Sequence, residues 1–198
     1  MRTTRRTTQR RAIAALAGCA AVVLAATAAL LWGVGSDTSI GGPFRLVDAQ
    51  AQPTTEQAFR GRYMLIYFGY TSCPDVCPTT LQAMAVAMQD LGARAARVQP
   101  IFVTVDPKRD TPAVLRDYVD AIAPGIVALT GPDDAVDAML RRYRVRHAIH
   151  PMENYPGEYL VDHSSVIYLM APDGHFVAPL RADEPGDVMA TQVAAYMR

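Results

Sequence analysis

Cysteine is scarce in this chain. There are three in 198 residues, and two of them, Cys73 and Cys77, stand four residues apart. A small scaffold stapled by disulfides would carry more, at wider spacing, so that class is excluded. Lysine is rarer still: Lys108 is alone among 19 basic residues, which reflects base composition more than function. No acidic residue precedes Asp37, and there is no internal repeat and no low-complexity tract beyond an alanine-rich run near the N-terminus. Formal charges cancel, 19 basic against 19 acidic. With no basic stripe, nothing in the chain suggests nucleic-acid binding.

The alanine-rich run is long. Residues 12–34 are 23 positions without a charge, roughly 35 Å of helix at about 1.5 Å per residue, enough for a hydrocarbon core of about 30 Å. Arg2, Arg5, Arg6, Arg10 and Arg11 precede it and Asp37 is the first charge after it. That asymmetry predicts a cytoplasmic N-terminus with the rest of the chain across the membrane, in the periplasm or outside the cell. Three other readings compete. Small residues at 26–28 would suit cleavage of a signal peptide. Leu16-Ala17-Gly18-Cys19 resembles a lipoprotein box, although the apolar run continues past Cys19. Arg5-Arg6 is a weak twin-arginine signal. We read an uncleaved single-span anchor in the cytoplasmic (inner) membrane. The expected organisation is a basic tail at 1–11, an anchor at 12–34, a Gly- and Ser-containing linker at 35–42 and one domain at 43–198. The part beyond the span carries 14 basic and 19 acidic residues, a balance of −5.

Within the domain, Phe44–Val47 reads as an opening strand and Tyr63–Tyr70 as an apolar strand fit for a sheet centre. The cysteine segment follows, then a helix from about Pro78 to Leu91, stopped by Gly92. Val98–Val105 is a second buried strand. Thr111 caps a helix with Pro112 at its first position, running to about Ile122. A short strand at Ile126–Leu129, a helix to about Tyr143, an irregular stretch at 147–160, a hairpin made by Ser165–Met170 and His175–Leu180, and a closing helix at Asp187–Met197 complete the chain. This order predicts an α/β mixed sheet flanked by helices, with working groups at the carboxyl ends of the parallel strands.

Cys73 and Cys77 therefore fall where a central strand leads into a helix. Positions i and i+4 on a helix share a face, about 5–6 Å apart at Cβ, and a helix N-terminus favours thiolate. Two such thiolates can grip a soft metal ion or close into a redox-active disulfide. A disulfide over so short a loop would stabilise little, so the pair reads as a working site. A dithiol oxidoreductase more often has two intervening residues than three. Two thiolates also leave a copper ion one donor short, and His163, just before a strand that the fold brings beside the cysteines, is the best third ligand. It is equally readable as an ordinary loop histidine. Two thiolates and an imidazole suit Cu(I) and can hold Cu(II); zinc would want a fourth donor. Asp75 and Asp106 are candidate hydrogen-bond acceptors behind the ligands. His147 and His150 read as charges at an arginine-rich helix end or as solvated loop groups, His175 as exposed, and Met84 and Met88 as core packing.

The segments themselves resemble one family. Tyr67-Phe68-Gly69-Tyr70-Thr71-Ser72-Cys73-Pro74-Asp75-Val76-Cys77-Pro78 is similar to the signature of the Sco/SenC family. Val103-Thr104-Val105-Asp106-Pro107 with Arg109-Asp110-Thr111-Pro112 resembles its second block. Tyr159-Leu160-Val161-Asp162-His163-Ser164 and Tyr168-Leu169-Met170-Ala171-Pro172-Asp173-Gly174 resemble its third, over residues 41–197 in all. The resemblance implies a thioredoxin-like fold, and Cys73, Cys77 and His163 as ligands of one copper ion. It further implies delivery of that ion to the binuclear copper site of cytochrome c oxidase, a metallochaperone's role with no chemical turnover. The implied partners are the copper-accepting subunit of the oxidase, the membrane through the N-terminal helix, and an exported thiol reductant, because the pair must be reduced to load. The alternative is a thiol–disulfide oxidoreductase or redox sensor that keeps the oxidase cysteines reduced.

Overall fold

The structure, a computed structural model, describes residues 39–197; the proposed basic tail, the anchor, Cys19 and the first part of the linker lie outside them. Among the described residues no helix is long and apolar enough to cross a membrane.

Strands β1 (Arg45–Asp48), β2 (Pro53–Thr55), β3 (Tyr63–Gly69), β4 (Val98–Thr104), β5 (Val127–Thr130), β8 (Val166–Met170) and β9 (Phe176–Arg181) make one seven-stranded sheet in the order β2-β1-β5-β4-β3-β8-β9. β3, β4 and β5 are parallel neighbours; β1 and β8 join antiparallel on either side. Every residue of β3 and β4 is buried, as expected of parallel strands covered on both faces, and this explains their unbroken apolar runs. Helices α1 (Val76–Leu91), α2 (Pro112–Ile122), α3 (Asp133–Arg142) and α4 (Gly186–Tyr196) provide that cover. α4 lies tight on α1: a Cβ on Gly186 would fall 2.6 Å from both the Ala83 carbonyl oxygen and Val86 Cβ. Met84 is fully buried and Met88 packs at the core margin, in agreement with the reading of both as core.

The cap of α2 is as the sequence implies, with the Thr111 hydroxyl accepting from Val114 N and proline at the start. Three strands and one helix start differ from expectation. β2 has only three residues and begins with proline, too little for any periodic signal. The stretch read as irregular holds a separate hairpin, β6 (His147–Pro151) with β7 (Tyr159–His163). All of β6 is exposed, so no alternation of apolar and polar residues marks it as a strand. α1 begins at Val76, two residues earlier than expected, so Cys77 and Pro78 stand in its first turn, where a proline lacks no needed N–H.

The topology converges on one place. β3 and β4 both end at the same edge, β8 runs back beside β3 with Tyr67 opposite Ile167, and β7 delivers His163 just before β8 starts. The cysteine loop, the loop after β4 and the end of the hairpin thus meet at the carboxyl ends of the parallel strands, where open α/β sheets place their sites.

Candidate metal centre

Between Gly69 and α1 the chain makes a turn that is tied down from below. The Thr71 N–H and hydroxyl both donate to the Asp110 carboxylate, at 3.1 and 2.6 Å, and the Thr104 hydroxyl donates to the same group at 2.6 Å. Asp110 is completely buried, and that burial raises its carboxyl above the usual range despite the three donors. The Cys73 N–H donates to the Tyr70 carbonyl at 3.3 Å.

Cys73 sits in this turn, part-exposed, and Cys77 is the second residue of α1, buried. The two thiols are therefore not stacked on one helix face as expected. Instead Cys73 stands off the helix end, and the Cys77 N–H points at its sulfur from 3.5 Å. Both thiols are free. The hydrogen bond from the Cys77 thiol holds Cys73 well below the ordinary thiol range, helped by the N–H groups of Cys77 and Asp75. The same bond, together with burial, pushes Cys77 up. The more accessible sulfur is thus the more acidic of the two. On the inner side the Tyr67 hydroxyl donates to Cys77 Sγ at 3.6 Å. Gly69 makes room for that sulfur, since a Cβ there would lie only 2.7 Å from it.

His163 closes the site. Its Nε2 is 3.5 Å from Cys77 Sγ, and its Nδ1 is 3.3 Å from the Ser164 carbonyl oxygen. A carbonyl can only accept, so Nδ1 carries the proton and the Nε2 lone pair faces the sulfurs. The ring stands edge-on to Tyr67 and Tyr70, each at 6.0 Å between centroids. Donors about 2.0–2.3 Å from one ion and spread about 120° apart lie roughly 3.7 Å from each other. The 3.5 Å sulfur–nitrogen gap is close to that spacing. Among the described residues no set of three or more His, Cys, Asp and Glu side chains forms a ready-made metal cage. Metal binding would require both sulfurs as thiolates.

The two candidate carboxylates behave differently. Asp75 precedes α1 without capping it through its side chain; the group that bears on Cys73 is its backbone N–H, and the carboxylate is exposed. Asp106 is buried and acts one step further out. It is hydrogen-bonded to Arg109 Nε and accepts from the Tyr159 hydroxyl at 2.8 Å. Arg109 Nη1 donates to the Tyr159 carbonyl at 3.0 Å, its guanidinium lies 3.7 Å over the Tyr159 ring, and the Tyr70 ring is 5.6 Å away. The Tyr70 hydroxyl in turn accepts from Val161 N at 3.3 Å. Arg109 therefore clamps the start of β7 to the loop after β4 and so fixes the strand that carries His163. Arg109, Asp110, Tyr67, Tyr70 and Gly69 all lie inside the recognised motifs, but only the fold reveals what each one holds. His147 and His150 are exposed, as the solvated reading has them, but on strand β6 rather than in a loop or at a helix end, and His175 is exposed beside Asp173.

A mixed sheet with helices on both faces, carrying two thiols and an imidazole at the carboxyl edge of its central strands, defines a thioredoxin-like domain with a soft-metal or redox centre. The chain belongs to the SCO1/SenC family, whose model matches residues 34–198. It is 41% identical over 143 residues to the mitochondrial protein SCO1 of Saccharomyces cerevisiae, covering 72% of this chain and 48% of that protein. An SCO2-like protein of Rickettsia prowazekii is 38% identical over 149 residues, 73% of each chain. Among solved structures, Bradyrhizobium japonicum ScoI with copper bound superposes with a TM-score of 0.74 at 37% identity, covering 80% of this chain and all of that one. The chain spans about half the length of the yeast relative it matches.

Proposed function

We propose that this protein is a copper metallochaperone that holds one copper ion through Cys73, Cys77 and His163 and hands it to the binuclear copper site of cytochrome c oxidase. The observation that carries this reading is the 3.5 Å approach of His163 Nε2 to Cys77 Sγ, from a strand 86 residues downstream. A dithiol exchange enzyme has no need of an imidazole lone pair aimed at its buried sulfur. Relatives solved with copper bound, such as Bradyrhizobium japonicum ScoI, support copper as the cargo, and two thiolates with one imidazole suit Cu(I) and tolerate Cu(II).

On this reading loading requires both thiols reduced, Cys73 supplies the first thiolate, and Cys77 releases its proton as it joins. An exported thiol reductant keeps the pair open, and the disulfide is the unloaded, off state. The N-terminal segment anchors the domain to the inner membrane on its outer side, facing the copper-accepting subunit of the oxidase. Transfer proceeds by exchanging donors one at a time with that subunit. The test is His163→Ala. Copper affinity should fall at least about tenfold, the usual scale for losing or misorienting a metal ligand, while Cys73–Cys77 oxidation persists. X-ray absorption should show two sulfurs and one nitrogen in the parent and no such nitrogen in the variant. Unchanged affinity and donor set would refute the three-ligand site.

A second reading has one observation in its favour: a part-exposed Cys73 with a lowered pKa beside a buried Cys77 is the arrangement of an attacking and a resolving thiol. In that case the protein reduces the oxidase cysteines or senses redox state. Rapid reduction of an oxidase disulfide peptide by copper-free protein, with copper loading of the oxidase intact in a deletion strain, would favour it over the chaperone.

A further inference from the structure

Three of the chain's four histidines, His147, His150 and His163, stand on the β6–β7 hairpin. Within it His147 lies directly opposite His163, and opposed residues of an antiparallel pair project to the same face with Cβ atoms about 4.5–5.5 Å apart. The two rings then part. His163 turns inward to Cys77, whereas His147 stays at the rim, its Nε2 3.9 Å from Asp137 Oδ1 on α3. Both histidines line one open cavity of about 340 Å³, together with Arg146, Ala148, Asp162 and Ser164. Larger hollows exist, such as one of about 660 Å³ bordered by Phe44, Arg45 and Arg142, but no residue of the dithiol centre lines it. His150 is on the other face of the hairpin, 3.0 Å from Asp162.

The donor set at the rim differs in kind from the inner one. An imidazole and a carboxylate are nitrogen and oxygen donors, the set that suits Cu(II), whereas the inner thiolates suit Cu(I). Two donors each about 2.0 Å from an ion, on opposite sides of it, are about 4 Å apart, close to the 3.9 Å seen. The Arg146 cation on the same wall opposes a resident metal ion, which fits brief capture rather than storage.

We propose that His147 and Asp137 form a receiving site for copper at the mouth of the dithiol centre, from which the ion passes to His163 and then to the two sulfurs. The proposal rests on the copper reading above. The passage is ligand exchange: the ion keeps its oxidation state, no electron moves, Cys73 joins as thiolate, and the Cys77 proton leaves to solvent as that sulfur joins. His163, opposite His147 and beside Cys77, is the donor common to both stages.

The full chain carrying Cys73→Ser and Cys77→Ser, titrated with cupric ion, isolates the rim. Electron paramagnetic resonance should show one Cu(II) with nitrogen donors. Adding His147→Phe, or independently Asp137→Asn on a different element, should weaken binding roughly tenfold, whereas adding His150→Phe should not. In the chain with both cysteines, His147→Phe should slow loading from cupric ion about tenfold while leaving the final sulfur–copper absorption unchanged. The proposal is overturned if the serine variant binds no Cu(II), if neither rim substitution weakens that binding, or if loading keeps its parental rate. Should the parent show no sulfur–copper absorption at all, the chaperone reading and the onward passage both fail, and the rim titration decides the receiving site alone.

Discussion

Gly69→Ala tests whether the sulfur's position is what the fold is built to hold. A Cβ on residue 69 would fall 2.7 Å from Cys77 Sγ and 2.8 Å from Phe102 Cε2, with Tyr67 Cε1 at 3.3 Å. Ordinary carbon contacts lie at about 3.5–4.0 Å, so the sulfur must retreat by about 1 Å. Phe102 is fully buried and closes the other side, which directs the adjustment into Cys77 and the first turn of α1. Overpacking of this kind costs about 1–3 kcal/mol of stability. A shift of about 1 Å also exceeds the roughly 0.5 Å tolerance of a preorganised site, and it moves Cys77 Sγ relative to His163 Nε2, now 3.5 Å away. Copper affinity of the reduced full chain, measured by competition with a Cu(I) chelator, should fall about 10–100-fold, or roughly 1.4–2.8 kcal/mol. Gly186→Ala is the control. Its Cβ would meet the Ala83 carbonyl oxygen and Val86 Cβ at 2.6 Å, at the α1–α4 contact, so it should lower the melting temperature without weakening copper binding. If Gly69→Ala is destabilised yet keeps its affinity within about twofold, the placement of Cys77 does not set affinity and the reasoning fails.

Two further substitutions examine the supports of the site. The Asp110 carboxyl is raised above its ordinary value by burial, so between those two values the folded protein keeps a proton that the unfolded chain has released, and stability falls as pH rises through that window. Asp110→Asn should therefore gain on the wild type in melts taken from about pH 4 upward, and a difference that stays flat with pH would refute this. Asp110→Ala, which leaves the Thr71 N–H and the Thr71 and Thr104 hydroxyls without their acceptor, should cost about 2–3 kcal/mol and loosen the cysteine turn. Arg109→Lys keeps the charge but cannot bridge Asp106 and the Tyr159 carbonyl while stacking on the Tyr159 ring. Hydrogen exchange at Val161 N, which is bonded to the Tyr70 hydroxyl, should speed up about 10–100-fold, and an unchanged rate would show that other contacts hold β7.

The three parts of the site were legible to different degrees, for physical reasons. Cys73 and Cys77 announce themselves because thiols are few and their spacing is short, and β3 and β4 because strands buried on both faces must be apolar throughout. His163 stands out in the sequence only as the donor that could complete the pair, and its strand is not legible there because an exposed hairpin leaves no hydrophobic period. The same gap hides the strand under His147 and His150, which read as helix-end charges or solvated loop groups, and with it the proposed rim. Asp110 and Arg109 could be quoted as motif letters but not assigned a task. A buried carboxylate taking three donors from Thr71 and Thr104, and a guanidinium wedged between Tyr159 and Asp106, are relations between segments brought together only by the sheet order. On the chaperone reading, this division would let the site bind yet release. The cysteine turn is tied to the core through Asp110, whereas His163 comes on a two-stranded hairpin outside the main sheet, secured by Arg109, Tyr70 and the buried Val161. A donor on the less tightly held element is the one that can leave first, so exchange with an acceptor should begin at His163 and finish at the sulfurs.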